Sequence, residues 1–320
     1  MNRKFTSFIL LYGVLFSSTL SLTSCADMVL REASVPLFDP VPWLDCTLRV
    51  GDTRAVVDLM PVYDVRFGLN ISSLGLTDME RTAQIFLYRN GTQWCGPFLI
   101  DEQTFGADAP FCPLPEPVPP QSDTWAIEVI LADGQRLYAS QTTPTCVPVN
   151  EVVTSLGEPL QAWAPLQGTV TVSFDDPPGE ANYYLIDLLL ALDDSFGPRS
   201  FADAQIELVS HEHVPKGGSL FSDATYGPWL LDDRQFDGTS VSVVFHFSAM
   251  NSSALTEGAF TQAKLVSLTP EAAAWIRSWR LMYRSEELGP FAEPVTLEMN
   301  VEGGLGSFRM LCEDKLKVYW

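Results

Sequence analysis

Basic residues are scarce in this chain: 19 Lys and Arg stand against 40 Asp and Glu, with only three His, for a net charge of −21. Such an excess of negative charge repels phosphate backbones and anionic lipid surfaces, so nucleic-acid binding is set aside. Also missing are the G-x-S-x-G elbow, the Walker A loop and the Rossmann glycine fingerprint; Gly303, Gly304 and Gly306 follow a strand-like run without opening a helix. No repeat of solenoid period is present. The chain also lacks a long, clean apolar run. Residues 5–22 are apolar but interrupted by Thr6, Ser7, Ser17, Ser18, Thr19 and Ser21, short of the roughly 20 predominantly apolar residues a permanent span needs.

What the N-terminus does have is a basic tip, Arg3-Lys4, then that apolar stretch, then Leu22-Thr23-Ser24-Cys25. This is the order of a secretory signal. The cysteine at the first mature position marks a lipoprotein, its thiol taking a diacylglyceryl group. Residues 1–24 are therefore read as a lipoprotein signal peptide and 25–40 as a lipidated tether. Cleavage takes away two of the 19 basic residues and none of the 40 acidic ones, moving the net charge to −23. The expected location is lipid-anchored to the outer membrane, on its periplasmic face or at the cell surface.

With 46% hydrophobic and 11% aromatic residues, the chain has material for a buried core, and its length favours two domains. Residues 41–148 alternate short β-rich runs with turns, at 47–50, 54–59, 65–70, 83–89, 125–131 and 136–140. Asn90-Gly91 and Asp133-Gly134 are the dipeptides of two-residue hairpins, so an immunoglobulin-like or transthyretin-like antiparallel sandwich is expected. Pro110, Pro113, Pro115, Pro117, Pro119 and Pro120 oppose regular ladder pairing and predict an exposed loop. Residues 149–167 read as a linker.

Residues 168–320 predict a larger antiparallel β domain with one amphipathic helix near 270–284. Strand-like runs lie at 169–174, 183–192, 205–213, 241–247, 263–268, 295–301, 307–312 and 316–319. Thr269 can cap the helix, Pro270 fits its first turn and Glu271 suits its positive end. Trp275, Trp279 and Met282 share one face, which we read as core packing. The fold class is thus all-β with a single helix.

Five cysteines remain besides Cys25. In an oxidising compartment the spacing suggests Cys95 with Cys112 and Cys46 with Cys146, leaving Cys312 free, although sequence alone does not determine connectivity. His211 and His213 fall on one face of a strand and are the metal candidates, with His246 as a third ligand. They do not make H-E-x-x-H, because Pro215 stands where its second histidine belongs, and two solvated histidines on an edge strand are the preferred reading. Asp233, Gln235, Asp237 and Gly238 resemble the front of a calcium loop, but Val244 occupies the place of its closing glutamate. No cofactor is implied, and no catalytic constellation stands out. Trp163 and Trp229 are the candidates for stacking on a ligand.

Two segments carry a family resemblance. Residues 174–184, Phe-Asp-Asp-Pro-Pro-Gly-Glu-Ala-Asn-Tyr-Tyr, look like a "D-P-x-x-x-x-N-Y-Y" strand entry, and residues 300–308 look like an "N-x-x-G-G-L-G-x-F" closing motif. With the "D-x-x-F-D-G" turn at 233–238 and the helix from Leu268, they resemble the Bacteroidota lipoprotein family catalogued as domain of unknown function 4249. The resemblance covers essentially all of the mature chain. It implies a neighbour of TonB-dependent outer-membrane receptors: a non-enzymatic accessory or ligand-capture component of nutrient uptake. The alternative is a stand-alone surface protein binding a glycan or peptide, and a hydrolase ranks third. The resemblance supplies no catalytic residues. Its glycines read as positions where a side chain would clash.

Overall fold

The computed structural model describes residues 41–62, 82–99, 111–157, 166–194, 197–200, 205–210, 228–249, 258–288 and 295–320. Sixteen strands lie among them: β1 (Val41–Arg49), β2 (Arg54–Val62), β3 (Gln84–Arg89), β4 (Thr92–Phe98), β5 (Phe111–Pro113), β6 (Thr124–Ile130), β7 (Arg136–Thr142), β8 (Val149–Leu156), β9 (Leu166–Asp175), β10 (Tyr183–Asp194), β11 (Gly197–Ser200), β12 (Gln205–Ser210), β13 (Trp229–Asp232), β14 (Ser240–Ala249), β15 (Ala259–Leu268) and β16 (Leu305–Tyr319). The one α-helix among the described residues, α1, runs Pro270–Leu288. The fold is all-β with one helix, as the sequence predicts.

Alternation of apolar residues sorts the strands into layers. Ile85 and Leu87 on β3, Trp125, Ile127 and Val129 on β6, and Leu137 and Ala139 on β7 turn one face of a four-stranded sheet, ordered β4-β3-β6-β7, into a first core. The opposing wall carries Leu44, Cys46 and Leu48 of β1, Ala55, Val57 and Leu59 of β2, and Phe308 and Met310 of β16. A second core gathers Val170, Val172 and Phe174 of β9 with Val241, Val243, Phe245 and Phe247 of β14, from a sheet ordered β12-β14-β9-β8. They face Tyr184, Ile186, Leu188 and Leu190 of β10 and Ala263 and Leu265 of β15.

The walls of both cores belong to one eight-stranded sheet, ordered β11-β10-β15-β16-β1-β2-β5 with β13 also on β10. This corrects the division into a sandwich at 41–148, a linker and a separate C-terminal domain. There are two cores, but β1 pairs in parallel with β16, from Trp43 opposite Leu305 to Arg49 opposite Leu311. The stretch expected as a linker contains β8, which pairs with β9. Periodicity reports which residues face inward and not which strand lies beside which, so pairing between the first and last strands was hidden from it. The runs at 307–312 and 316–319 are one long strand, whereas 295–300 is irregular. The expected run at 65–70 lies outside the described residues.

Local signals hold where the chemistry is local. Asn90 (φ 51°) and Gly91 (φ 75°) make the hairpin from β3 to β4. Thr269 Oγ1 accepts from the N–H of Ala272 at 3.1 Å, capping α1. Ala272 and Ala273 pack with Val266 and Leu268 of β15 against the outer side of the large sheet, and Trp275 and Trp279 join Trp43, Met60 and Val62. The helix tryptophans are core residues. The proline-rich stretch departs from the free loop expected of it. Phe111–Pro113 forms a short edge strand on β2, Leu114 N–H donates to Thr53 O, and Val118 is buried, exchanging backbone bonds with Gly51 and Asp52.

The closing motif explains itself at the joint between sheets. A Cβ on Gly306 (φ +118°) would run into the Leu44 carbonyl oxygen, and one on Gly303 (φ +81°) into that of Arg136. Asn300 brackets Phe308, donating Nδ2–H to its carbonyl (2.9 Å) and accepting its N–H (2.8 Å). The motif is structural because three strands meet there with no room for side chains.

Cysteine pairing differs from expectation. The disulfide joins Cys146 to Cys312 across a sequence separation of 166. Cys46, Cys95 and Cys112 are free thiols, and all three belong to the first core. Cys46 lies on β1 opposite Val57 and Cys112 on β5 opposite Ala55, so each has a packing neighbour where a disulfide partner would be needed. Burial pushes all three thiols up, Cys95 to about 11 and Cys112 to about 12.

Phe308 is fully buried where β16 enters the first core. Replacing it with Ala is expected to cost about 4 kcal/mol of unfolding free energy, read from urea melts, because the site is walled by strands that cannot collapse into the cavity.

Candidate functional site

The two motif loops of the C-terminal half meet at one end of the second core. β9 pairs with β14 so that Asp175 stands opposite Ser240, and β10 pairs with β13 so that Tyr183 stands opposite Asp232. The 176–182 loop joining β9 to β10 is thereby brought against the 233–239 turn joining β13 to β14. A single 3-10 turn, Asp233–Gln235, starts the second loop, with Asp232 as its N-cap accepting from the N–H of Arg234.

Hydrogen bonds then stitch loop to loop. Tyr184 donates its phenol to Asp176 Oδ1 at 2.5 Å, and Gly238 N–H donates to Asp176 Oδ2 at 2.8 Å. Asn182 N–H donates to Asp233 Oδ2 at 2.6 Å, and Asp233 N–H returns a bond to the Asn182 carbonyl at 3.2 Å. Gly179 N–H donates to Asp237 Oδ1 at 2.7 Å. Asn182 Nδ2 holds the carbonyls of Pro177 and Glu180, both at 3.2 Å, closing the first loop upon itself. Beneath them Tyr184 and Phe236 stack with ring centroids 6.3 Å apart, Phe174 edge-on to Phe236.

One oxygen from each of Asp176, Asp233 and Asp237 falls within 4.8 Å of the others, the first two buried and the third exposed. Burial is the main cause that raises the Asp233 carboxyl, and Asp176, Asp232 and Asp237 raise it further against the Asn182 amide, which lowers it. The Tyr184 phenol is raised by burial first and by its bond to Asp176 second. Three carboxylate oxygens are the donor set a hard cation prefers, although a calcium shell takes about 6–8 of them. Four protein donors already occupy these carboxylates. Their grouping is accounted for as a latch between two loops.

Asp233 and Asp237, which resemble the front of a calcium loop in sequence, converge with Asp176, the first residue of the D-P-x-x-x-x-N-Y-Y motif. The available signal was an aspartate in each of two motifs bordering strands; only the pairing of those strands joins them.

Other candidates fall elsewhere. Trp229, proposed for stacking, is buried at 2% exposure with its ring 4.6 Å from that of Phe245, so it is a core residue and presents no face to a ligand. His246 is exposed on β14, opposite Thr169 and Glu207. His211, His213, Trp163 and Cys25 lie outside the described residues.

These observations define an all-β protein with two cores sharing one sheet and a latched pair of acidic loops at one end. The chain belongs to the family described as Domain of unknown function (DUF4249), whose model matches residues 43–315. No curated protein matches the sequence. Among solved structures, a mutant of Salmonella alpha-2-macroglobulin is similar at 10% identity and a TM-score of 0.25, over 75% of this chain and 14% of that one. The fibronectin(III)-like modules of Clostridium thermocellum CbhA are similar at 10% identity and a TM-score of 0.22, over 72% of this chain and 84% of that one. Both likenesses are too distant to carry an argument about function.

Two outcomes are expected at the latch. Tyr184→Phe leaves Asp176 Oδ1 buried without its donor and should cost about 2 kcal/mol in urea melts. Asp233→Asn keeps an acceptor for the Asn182 amide and removes like-charge repulsion. Because the folded carboxyl of Asp233 is raised, its contribution to stability is full below the unfolded value near about 4 and is lost as pH rises through the folded value. The variant should therefore be more stable than the parent at pH 7. Thermal melts across pH should show that advantage vanishing by about pH 4.

Proposed function

We propose that this protein is an exported lipoprotein, anchored to the outer membrane through a lipid on Cys25, that serves a TonB-dependent nutrient uptake system as a non-enzymatic accessory or ligand-capture component. The observation that carries the reading is the N-terminal order of basic tip, apolar run and Leu22-Thr23-Ser24-Cys25. The Cys146–Cys312 disulfide supports export, since disulfides persist in oxidising compartments. Membership in the family supports the transporter partnership through the resemblance that implied it. The acidic loops are built as a latch, with their carboxylates bound to Tyr184 and to backbone amides, which favours a binding or docking role over acid–base chemistry. Burial of Trp229 removes one of two aromatic contacts on which the stand-alone glycan-binding reading relied.

Confinement to a membrane plane raises the effective concentration of integral neighbours, so a weak interface suffices. Expression of the intact chain with labelled fatty acid should place label on the wild type and none on Cys25→Ser, with the variant recovered folded in the soluble fraction. Membrane retention of Cys25→Ser would overturn the anchor. Cross-linking before detergent extraction should co-purify a large β-barrel protein, and repeated recovery of a lone monomer would overturn the partnership.

A further inference from the structure

The inward face of β16 serves both cores. Phe308 and Met310 belong to the first core; Leu316, Val318 and the following Trp320 pack on the second; Cys312 lies between the two groups. Its edges divide the same way, residues 305–311 lying along β1 and residues 311–319 along β15. The contacts with β1 are among the longest-range in the molecule, as in the ion pair of Arg309 with Asp45, 264 residues apart. Around Cys312 runs a seam of polar bonds to the segment that leaves the first core. Gln141 Oε1 accepts from Thr269 Oγ1 and Met310 N–H (both 2.9 Å), Val147 N–H donates to Ser267 Oγ (3.3 Å), and Val149 N–H donates to Asp314 Oδ2 (2.8 Å).

We propose that residues 305–320 are a closing latch: neither core reaches its protected state until β16 docks between β15 and β1, and docking delivers Cys312 to Cys146, whose disulfide then locks both cores together. Loop-closure entropy must be met before such distant pairings contribute, so the strand shared by both cores controls completion of the sheet. The locking step is thiol–disulfide exchange. One thiolate attacks an external small-molecule disulfide and forms a mixed disulfide; the second thiolate then displaces the bound half. Two protein thiols lose two electrons and two protons, and the external disulfide is reduced to two thiols. Cys46 and Cys112 compete poorly once the first core forms, because their thiols are buried there, and Cys95 is half-buried against it. This behaviour belongs to the fold and is independent of membrane anchoring.

The test uses the full chain, reduced and unfolded in urea, then diluted into buffer with oxidised and reduced glutathione. Pulsed hydrogen exchange read by mass spectrometry follows β6 in the first core, β14 in the second, and β16, while quenched alkylation counts the Cys146–Cys312 bond. Protection should appear in all three strands with rates equal within about twofold, with the disulfide forming no earlier. If β6 or β14 gains protection on the order of tenfold sooner than β16, or the disulfide forms before any strand is protected, the proposal fails. In the folded double variant Cys146→Ser, Cys312→Ser, native-state exchange should quicken in β6, β14 and β16 together, by on the order of tenfold or more. Quickening confined to one core would overturn the lock.

Discussion

The rest of this structure depends on one strand having to satisfy two cores. A sheet wall presents apolar residues at alternate positions, and β16 does so with Phe308 and Met310 for the first core and Leu316 and Val318 for the second, Cys312 and Asp314 marking the change between them. Its first half requires β1 as a parallel neighbour, which forces Gly306 beneath the Leu44 carbonyl and Gly303 beneath that of Arg136. Its second half requires β15, which in turn sets β10, β13 and the loops they carry. The disulfide sits at the changeover, where the chain passing from β7 to β8 comes closest to the strand that joins the cores.

The acidic loops follow from that arrangement at one remove. Buried carboxylates are tolerated only with donors: Gly238 for Asp176 and Asn182 for Asp233 reach across from the opposite loop, and Tyr184, on the strand that follows Asp176's own loop, gives Asp176 a second. Each loop is the other's solvent. The aromatic trio of Phe174, Tyr184 and Phe236 beneath them turns this polar latch into part of the second core's lid. A chain of net charge −21 thus holds two of its buried carboxylates, Asp176 and Asp233, where backbone amides and one phenol satisfy them.

Disulfide closure between residues 166 apart removes much of the unfolded chain's freedom, worth about 5 kcal/mol on loop-entropy grounds. Helix α1 covers one end of the outer face of the large sheet, with Arg309 held between Asp45 and the Trp275 ring, its guanidinium 4.1 Å from the ring centroid. Burial raises Asp45, and Arg309 draws it down, so the pair is a buried polar tie between β1, β16 and the helix.

By itself the sequence determined what depends on near neighbours. Alternation specified inward faces, Asn90-Gly91 a hairpin, and Thr269-Pro270-Glu271 the start of a helix, because each works through bonds made within a few residues. The closing glycines were legible as places without room, though not which strands crowd them. Tertiary structure alone decided that Cys146 meets Cys312, that first and last strands pair, that Trp229 is a core ring, and that Asp176 joins Asp233 and Asp237. These are consequences of strand order, which inward-facing periodicity leaves open: a strand's apolar face is equally content beside several partners, and only the simultaneous filling of both cores selects one.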